Sequence, residues 1–310
     1  MANSRKRRKG TNKQRPLWHY AVGALVLVGF GALVILALLS GGGQTSQEAD
    51  ISIPLPGNPS LVSLSRTFGN APVQPQVIFA TGFTPEQQSI ITNRVHHVAS
   101  VLGSDTNMIF MTIGDLDAKA ETIEEREEVM FDRPFLARGN DHVDNTAGHE
   151  TIHVVADHPF EMINPFIVGN ETMTWKQGLG VGYTTPTGER RGYAQWNEVS
   201  AVCLDYAING RTPTSATAAF SEWRSVAFCS LILEASPWIS FDDWAQWYLD
   251  TDIDSMCRMI FANKDGVPCN DEQLNLYVQL GAQIYSLEER TAEQLMSDVY
   301  SLRAQNPNGR

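Results

Sequence analysis

The chain has only four cysteines in 310 residues, and no two of them stand in a C-x-x-C spacing. A structural zinc cluster built from thiolates is therefore not expected. Four is an even number, and in an oxidising compartment the cysteines would pair as disulfides. Of the three possible sets of pairs, Cys203–Cys229 with Cys257–Cys269 is favoured, because each bridge joins neighbours along the chain.

Basic residues are scarce outside the first positions of the chain. Seven of the 23 Lys and Arg residues lie within residues 1–16, which contain no acidic residue, so the rest of the chain has 16 basic residues against 35 acidic ones. An acidic domain of this kind repels nucleic acid and anionic lipid surfaces. The composition therefore predicts that nucleic acid is not a partner.

Charged residues are absent from residues 17–39, which are rich in Leu, Val, Ala and Gly. A helix of this length spans about 34 Å, and the hydrocarbon core of a bilayer is about 30 Å thick. The basic tail, residues 1–16, precedes this segment, so the positive-inside rule puts the tail in the cytoplasm and the remaining chain outside. The sequence predicts a single-pass anchor in the lipid bilayer of the cell membrane. A cleaved signal peptide ending near Ser40 is the alternative.

Residues 40–76 are rich in Gly, Ser, Pro and Gln and predict a linker, and residues 77–310 are predicted to form one extracytoplasmic domain. A small half of strands and helices precedes a half that is mainly helical, so the pattern predicts an α+β fold with a cleft between the halves. Strands are predicted over 77–80, 108–113 and, as an edge strand, 129–136; helices are predicted over 84–102, 117–130, 145–157, 171–183, 196–208, 220–235, 241–250, 271–285 and 291–304.

Residues 149–153 read His-Glu-Thr-Ile-His, which is the H-E-x-x-H zinc motif. On a helix, His149 and His153 are one turn apart and project from the same face, so both imidazoles can bind one ion. Glu150 is rotated by about 100° from His149 and can reach a water molecule on the metal as a general base. The motif predicts a zinc-dependent hydrolase.

The flanking residues favour a buried motif helix over a chance match. Residues 151–152 and 154–155 are uncharged and mostly apolar. Buried His and Glu side chains are costly without a partner, and a metal ion provides one. Asp144 or Asn145 is expected to cap the start of the helix, and Pro159 to end it.

Glu198 lies in the sequence Trp-Asn-Glu-Val-Ser, on a predicted helix of its own, 45 positions after His153. Here the chain resembles the gluzincin group of zinc metallopeptidases, whose H-E-x-x-H helix is followed by a second helix that carries a Glu ligand. The resemblance covers roughly residues 140–210. It implies a zincin-like domain in which His149, His153 and Glu198 hold one catalytic Zn²⁺ and Glu150 acts as the base.

The chain also departs from that family. Val202 stands where the family often has an Asp that orients a ligand His, and Asp205, on nearly the same helix face, is the candidate for that role. Residues 175–178 resemble the Trp-x-x-Glu-Gly segment of membrane-alanyl-aminopeptidase relatives, in which the Glu binds zinc; Gln177 replaces it here and is a poor ligand. Glu171 is the reserve third ligand.

The expected reaction is hydrolysis of a peptide or protein substrate on the extracytoplasmic side of the membrane. The oxyanion formed during hydrolysis needs a further donor, and Tyr183, Tyr193, Tyr206 and Arg191 are the candidates. A zinc hydrolase that acts on a non-peptide bond is a second reading. A catalytically silent surface module that keeps a zincin fold for protein binding is the third.

Overall fold

The computed structural model describes residues 64–65, 67–68, 74–104, 106–116, 118–123, 126–209, 220–286 and 290–310. The predicted cytoplasmic tail, the predicted membrane helix and most of the predicted linker lie outside these residues. Within the described ranges, no helix combines the length and the apolar composition that a bilayer span needs. Phe68 is buried in the core, so the last part of the predicted linker already packs on the domain.

The first sheet has the strand order β1-β2-β4-β3. Its strands are β1 (Gln76–Phe79), β2 (Met108–Gly114), β3 (Ala120–Ile123) and β4 (Glu128–Asp132). Helix α1 (Pro85–Leu102) connects the parallel strands β1 and β2, as a parallel pair requires. A capping box formed by Thr84 and Gln87 starts this helix.

The prediction of a helix over residues 117–130 is wrong for the described residues, which contain β3 and the start of β4. The prediction of an edge strand within 129–136 is half correct. A strand is present, but β4 pairs with both β2 and β3, so the edge strand is β3. Val129 and Phe131 are fully buried on alternate positions of β4, which is the period of a strand.

The motif helix α3 (Asn140–Ala156) follows a single-turn helix α2 (Arg133–Leu136) and lies between two hydrophobic cores. Val143 and Val154 pack in the core of the first sheet, and Ile152 and Val155 pack in the larger second core. Residues on opposite faces of α3 are thus buried in different cores, which fixes the helix in position.

The start of α3 differs from the predicted one, whereas its end agrees with the expected stop before Pro159. The helix begins at Asn140, five residues before the expected start. Its N-cap residue is Gly139, which has no side chain that could cap the helix. Asp144 lies inside the helix, where its carboxylate accepts a hydrogen bond of 2.9 Å from Nε of Arg94. The helix ends at Asp157, which has a left-handed conformation.

A second sheet follows, in which β5 (Phe160–Val168), β6 (Glu171–Gln177), β7 (Gly180–Thr184) and β8 (Arg190–Tyr193) are antiparallel neighbours in chain order. The prediction of a helix over residues 171–183 is therefore wrong. The turns begin at Gly169 and Gly178, both with positive φ, as short hairpin turns require. A Cβ at Gly178 would lie 2.5 Å from Oδ1 of Asn197.

The remaining described elements are helical. They are α4 (Gln195–Asn209), α5 (Phe220–Glu234), α6 (Phe241–Leu249), α7 (Ile253–Phe261), α8 (Asp271–Ile284) and α9 (Ala292–Gln305). Five of them were predicted within a residue or two; α7 was not. The chain is of mixed α and β structure, as expected, but the part after the motif contains a whole sheet rather than helices alone.

Both favoured disulfides are confirmed. Cys203–Cys229 joins α4 to α5, and Cys257–Cys269 joins α7 to the segment that precedes α8. The described residues contain no free cysteine. The first bridge holds the helix that carries Glu198 against its neighbour, and so connects the fold to the candidate site.

Candidate metal centre

His149, His153 and Glu198 form a group of side chains that can hold a metal ion. The Nε2 atoms of His149 and His153 are 3.4 Å apart on one face of α3. Glu198, in the first turn of α4, points between them. Its Oε2 lies 3.3 Å from Nε2 of His149, and its Oε1 lies 3.6 Å from Nε2 of His153.

These three distances fit a tetrahedral zinc site. Ligand atoms that share a tetrahedral ion at about 2.1 Å are about 3.4 Å from one another. The two Nε2 atoms are 3.4 Å apart, and the contacts of 3.3 and 3.6 Å join each of them to a different oxygen of the Glu198 carboxylate. Two imidazole nitrogens and a carboxylate oxygen are also a donor set found in catalytic zinc sites, which leave the fourth position to water or substrate. The residues present therefore fit a zinc ion.

The charges of the three residues are strongly coupled. Burial lowers the pKa of His149, but the hydrogen bond and charge of Glu198 more than offset burial and raise that pKa from 6.5 to about 9. Burial raises the pKa of Glu198, but His153 and His149 outweigh burial and hold it at about 2. Burial lowers the pKa of His153. The carboxylate of Glu198 is thus ionised, as a ligand must be.

Packing fixes the helix that carries Glu198. The indole of Trp196 stacks on the ring of Tyr277 at 4.8 Å and donates a hydrogen bond of 2.7 Å to its backbone carbonyl. The side chain of Asn197 accepts a hydrogen bond from the backbone of Leu179 and donates one to the carbonyl of Gln177. Two neighbouring residues of the first turn of α4, immediately before Glu198, are therefore anchored to two different parts of the fold.

A tyrosine orients the second histidine of the motif. The hydroxyl of Tyr248, on α6, lies 3.1 Å from Nδ1 of His153. The backbone carbonyl of Tyr248 accepts a hydrogen bond from Nε2 of His158, whose ring packs edge-on against the Tyr248 ring. When Nε2 of His153 binds a metal, Nδ1 carries the proton and donates to this hydroxyl.

Glu150 borders the same cleft and is held by the edge strand of the first sheet. The hydroxyl of Thr122 on β3 donates a hydrogen bond of 2.6 Å to Oε2 of Glu150 and lies 3.2 Å from its backbone carbonyl. The carboxylate therefore has a fixed orientation beside the two histidines, and its other oxygen, Oε1, is not used by this bond.

Tyr285, just after α8, is a cleft tyrosine whose side chain is electrostatically coupled to a candidate metal ligand, Glu198. Burial and the charge of Glu198 raise the pKa of Tyr285 well above 10. The phenol therefore keeps its proton at any physiological pH and remains a hydrogen-bond donor beside the site.

His149, Glu150, His153 and Glu198 line an open cleft of about 860 Å³. Residues of the first sheet's edge, of α3, of the second sheet and of α4 line the cleft, together with Tyr285. A cavity of this size accommodates several side chains of an extended ligand. The expectation of a cleft at the metal-binding motif agrees with this arrangement, although a sheet rather than a helix forms one of its walls.

Of the remaining candidate residues, some line the cleft and others do not. Tyr193, Tyr206 and Asp205 line the cleft, and the charge of Asp205 acts on His149. Tyr183 and Arg191 are not among the lining residues. The Arg191 guanidinium instead pairs with Glu189 at 3.0 Å on the surface.

Glu171, the reserve ligand, is exposed at the start of β6, next to the hairpin turn at Gly169. It does not belong to the metal-binding group of the described residues. Of the two carboxylates considered for the third ligand position, the structure brings Glu198 to the histidines and leaves Glu171 elsewhere.

Thr122, Tyr248 and Tyr285 were not identified from the sequence as site residues. Each reaches the site from an element far from residues 149–153 in the chain. Tyr248 belongs to an aromatic stretch that is typical of a helix core, and Thr122 lies in a segment predicted to be helical. A strand prediction for residues 120–123 would have placed Thr122 on a sheet, at the edge that borders the cleft.

No protein-family model matches the chain, and no curated protein or solved structure is significantly similar to it.

Proposed function

We propose that this protein is a zinc-dependent peptide hydrolase with Glu150 as its general base. The observation that carries the proposal is the approach of three side chains beside Glu150: the Nε2 atoms of His149 and His153 are 3.4 Å apart, and each lies 3.3 to 3.6 Å from one of the two carboxylate oxygens of Glu198. The gluzincin likeness supports it through the spacing of the motif and of the glutamate on the next helix.

Zinc bound by these residues would act as a Lewis acid on a carbonyl oxygen and lower the pKa of a water ligand to about 7. Glu150, held by Thr122, has an oxygen free to accept the proton of an attacking water and to pass it to the leaving amine. With Nε2 of His153 on the metal, the Nδ1–H group would donate to the hydroxyl of Tyr248, which lies 3.1 Å away.

Tyr285 is the donor that we assign to the developing oxyanion. Its hydroxyl is protonated, and the residue lines the cleft and is electrostatically coupled to Glu198. A hydroxyl in this position can donate to an oxyanion bound beside the metal ligands. Tyr193 and Tyr206 also line the cleft.

The edge strand beside the site favours a peptide over other substrates. β3 is the last strand of its sheet, and Lys119, Glu121 and Thr122 line the cleft. Extended peptides bind to exposed sheet edges through main-chain hydrogen bonds. A peptide laid along β3 would pass the metal-binding residues.

We place the activity outside the cytoplasm, on the anchored domain formed by residues 77–310. Two disulfides, Cys203–Cys229 and Cys257–Cys269, are typical of an oxidising compartment. The basic tail and the uncharged segment, residues 17–39, support a membrane anchor with its amino terminus inside.

The test compares wild type, Glu150→Gln and Glu171→Gln as full-length proteins in detergent, by zinc content and by hydrolysis of a mixed peptide set. Glu150→Gln should keep one zinc and lose about 10²- to 10⁴-fold in rate. Glu171→Gln, an exposed glutamate outside the cleft, should retain both properties. Full activity in Glu150→Gln contradicts the mechanism. Zinc binding without any hydrolysis by wild type instead supports the silent binding module.

A further inference from the structure

Trp175 occupies one row of the second sheet together with two glycines. Trp175 on β6 lies opposite Gly182 on β7, and Gly182 lies opposite Gly192 on β8. Residues directly opposite each other in antiparallel strands point to the same face of a sheet. The indole therefore projects from the same sheet face as Gly182 and Gly192, which have no side chains to occupy that face.

The two glycines make space for the ring. A Cβ at Gly182 would overlap the six-membered ring of Trp175, and a Cβ at Gly192 would come within 2.7 Å of it. Neither glycine has a positive φ, so the reason for glycine here is the close approach of the ring rather than the backbone conformation. The Trp175 ring lies flat across β7 and β8.

No hydrogen bond explains this placement. Nε1 of Trp175 is buried and has no hydrogen-bond partner in the described part of the chain. The ring of Phe160 lies 5.5 Å from the indole, and the guanidinium of Arg190 covers the Phe160 ring at 3.9 Å. Packing alone holds the indole in place, and an arginine of the same chain already covers the neighbouring aromatic ring.

Trp175 and Gly192 line the cleft that contains the metal-binding residues. The other elements around the cleft bring charged groups to it. Lys119 and Glu222 form an ion pair at 3.1 Å, and Glu121 is exposed on β3. The second sheet thus supplies a flat aromatic surface to a cleft that also contains charged side chains.

We propose that the Trp175 ring is the base of a subsite that receives an aromatic or large aliphatic side chain of the bound peptide. This inference rests on the proposed function, because it names the substrate class of the same cleft. Stacking on an indole favours aromatic side chains in particular. The subsite makes the enzyme selective for peptides with Phe, Tyr or Leu at one position.

The experiment uses the full-length protein loaded with zinc and peptides in which one position at a time carries Phe or Ala. Wild type should cleave the Phe peptide with at least about tenfold higher kcat/KM at one position. Trp175→Ala should reduce that ratio to about one. Trp175→Phe should retain most of the preference.

Two further variants separate the subsite from general effects on folding. Gly182→Ala should disturb the ring and reduce the same ratio, while zinc content stays at one per chain. Trp238→Ala removes a partly exposed tryptophan that packs against Arg303 and Arg310 outside the cleft, and it should leave the ratio unchanged.

A second readout does not depend on turnover. Zinc-loaded Glu150→Gln should bind the Phe peptide about tenfold more tightly than the Ala peptide, and the Glu150→Gln/Trp175→Ala double variant should bind both equally. A wild-type enzyme that cleaves peptides with no such preference, or a preference that survives in Trp175→Ala, overturns the subsite and leaves the proposed function intact. Absence of all peptide hydrolysis overturns both.

Discussion

The hydroxyl of Tyr248 lies 3.1 Å from Nδ1 of His153, the ring nitrogen that does not face His149. A histidine that ligates a metal through Nε2 carries a proton on Nδ1, and a partner for that proton fixes the ring and its tautomer. Tyr248 is fully buried on α6, so the oriented imidazole depends on packing between two distant parts of the chain.

Replacing Tyr248 with Phe is expected to weaken zinc binding by about tenfold or more, because the partner of Nδ1 is lost while the ring volume is kept. Competition with a zinc chelator measures the dissociation constant. Tyr277→Phe is the matched control: Tyr277 is equally buried, and its hydroxyl has no hydrogen bond within the described residues. Equal affinities of Tyr248→Phe and Tyr277→Phe would refute the orienting role.

Tyr285→Phe is expected to lower kcat by about 10²- to 10³-fold with zinc content unchanged, because a donor to the oxyanion is removed. Steady-state kinetics on one peptide measures the effect. Tyr193→Phe and Tyr206→Phe, which also alter the cleft lining, should change kcat only slightly. A large loss in either control with a normal rate for Tyr285→Phe would assign the donor to another tyrosine.

In the metal-free protein, one of the seven histidines is expected to titrate near pH 9, because Glu198 raises the pKa of His149 to about 9. Nitrogen-15 NMR of the histidine rings follows this titration. Glu198→Gln removes the charge and leaves the burial, so the same signal should move to a pKa at or below 6.5. If every imidazole is neutral above pH 8, this prediction is wrong.

The same pair sets the stability of the metal-free protein against pH. The folded pKa of His149 is raised, so its contribution is complete below 6.5 and is lost as the pH rises through about 9. The folded pKa of Glu198 is depressed, so its contribution is complete above 4.5 and is lost as the pH falls through about 2. Urea unfolding should show the largest contribution of the pair between pH 4.5 and 6.5.

Removing the Cys203–Cys229 bridge should lower the free energy of unfolding by about 3 to 4 kcal/mol, as expected for a loop of this size. The bridge spans 26 positions and joins the helix of Glu198 to α5. Denaturant unfolding of the Cys203→Ala/Cys229→Ala double variant measures this. Cys257→Ala/Cys269→Ala, with a separation of 12, should cost slightly less. A change below about 1 kcal/mol for the first pair would show that packing alone holds these helices.

The candidate metal-binding residues could be predicted from the sequence for two different reasons. His149 and His153 follow from local helical spacing, since they are four residues apart on α3, whereas Glu198 followed from the resemblance to gluzincins, on a helix that has its own apolar pattern and end signal. The disulfide pairs followed from chain proximity in the same way. These features need no knowledge of the rest of the fold.

The second sheet was missed, and with it one wall of the cleft. Along β6, the buried Met173 lies between Thr172 and Thr174, which is the alternation of a strand, and glycines mark both hairpin turns. This two-residue alternation is visible in the sequence and is typical of a strand, although the segment was predicted to be helical. The roles of Thr122, Tyr248 and Tyr285 depend on contacts between distant segments, which a single sequence does not reveal.

Whether Glu198 completes the metal centre is decided by the zinc affinity of Glu198→Ala compared with that of Glu171→Ala. We expect wild type and Glu171→Ala to bind one zinc ion with equal affinity, and Glu198→Ala to bind it at least about a hundredfold more weakly, since one of three protein ligands is gone. Zinc held by Glu198→Ala as tightly as by wild type would contradict the assignment of His149, His153 and Glu198 as the metal centre.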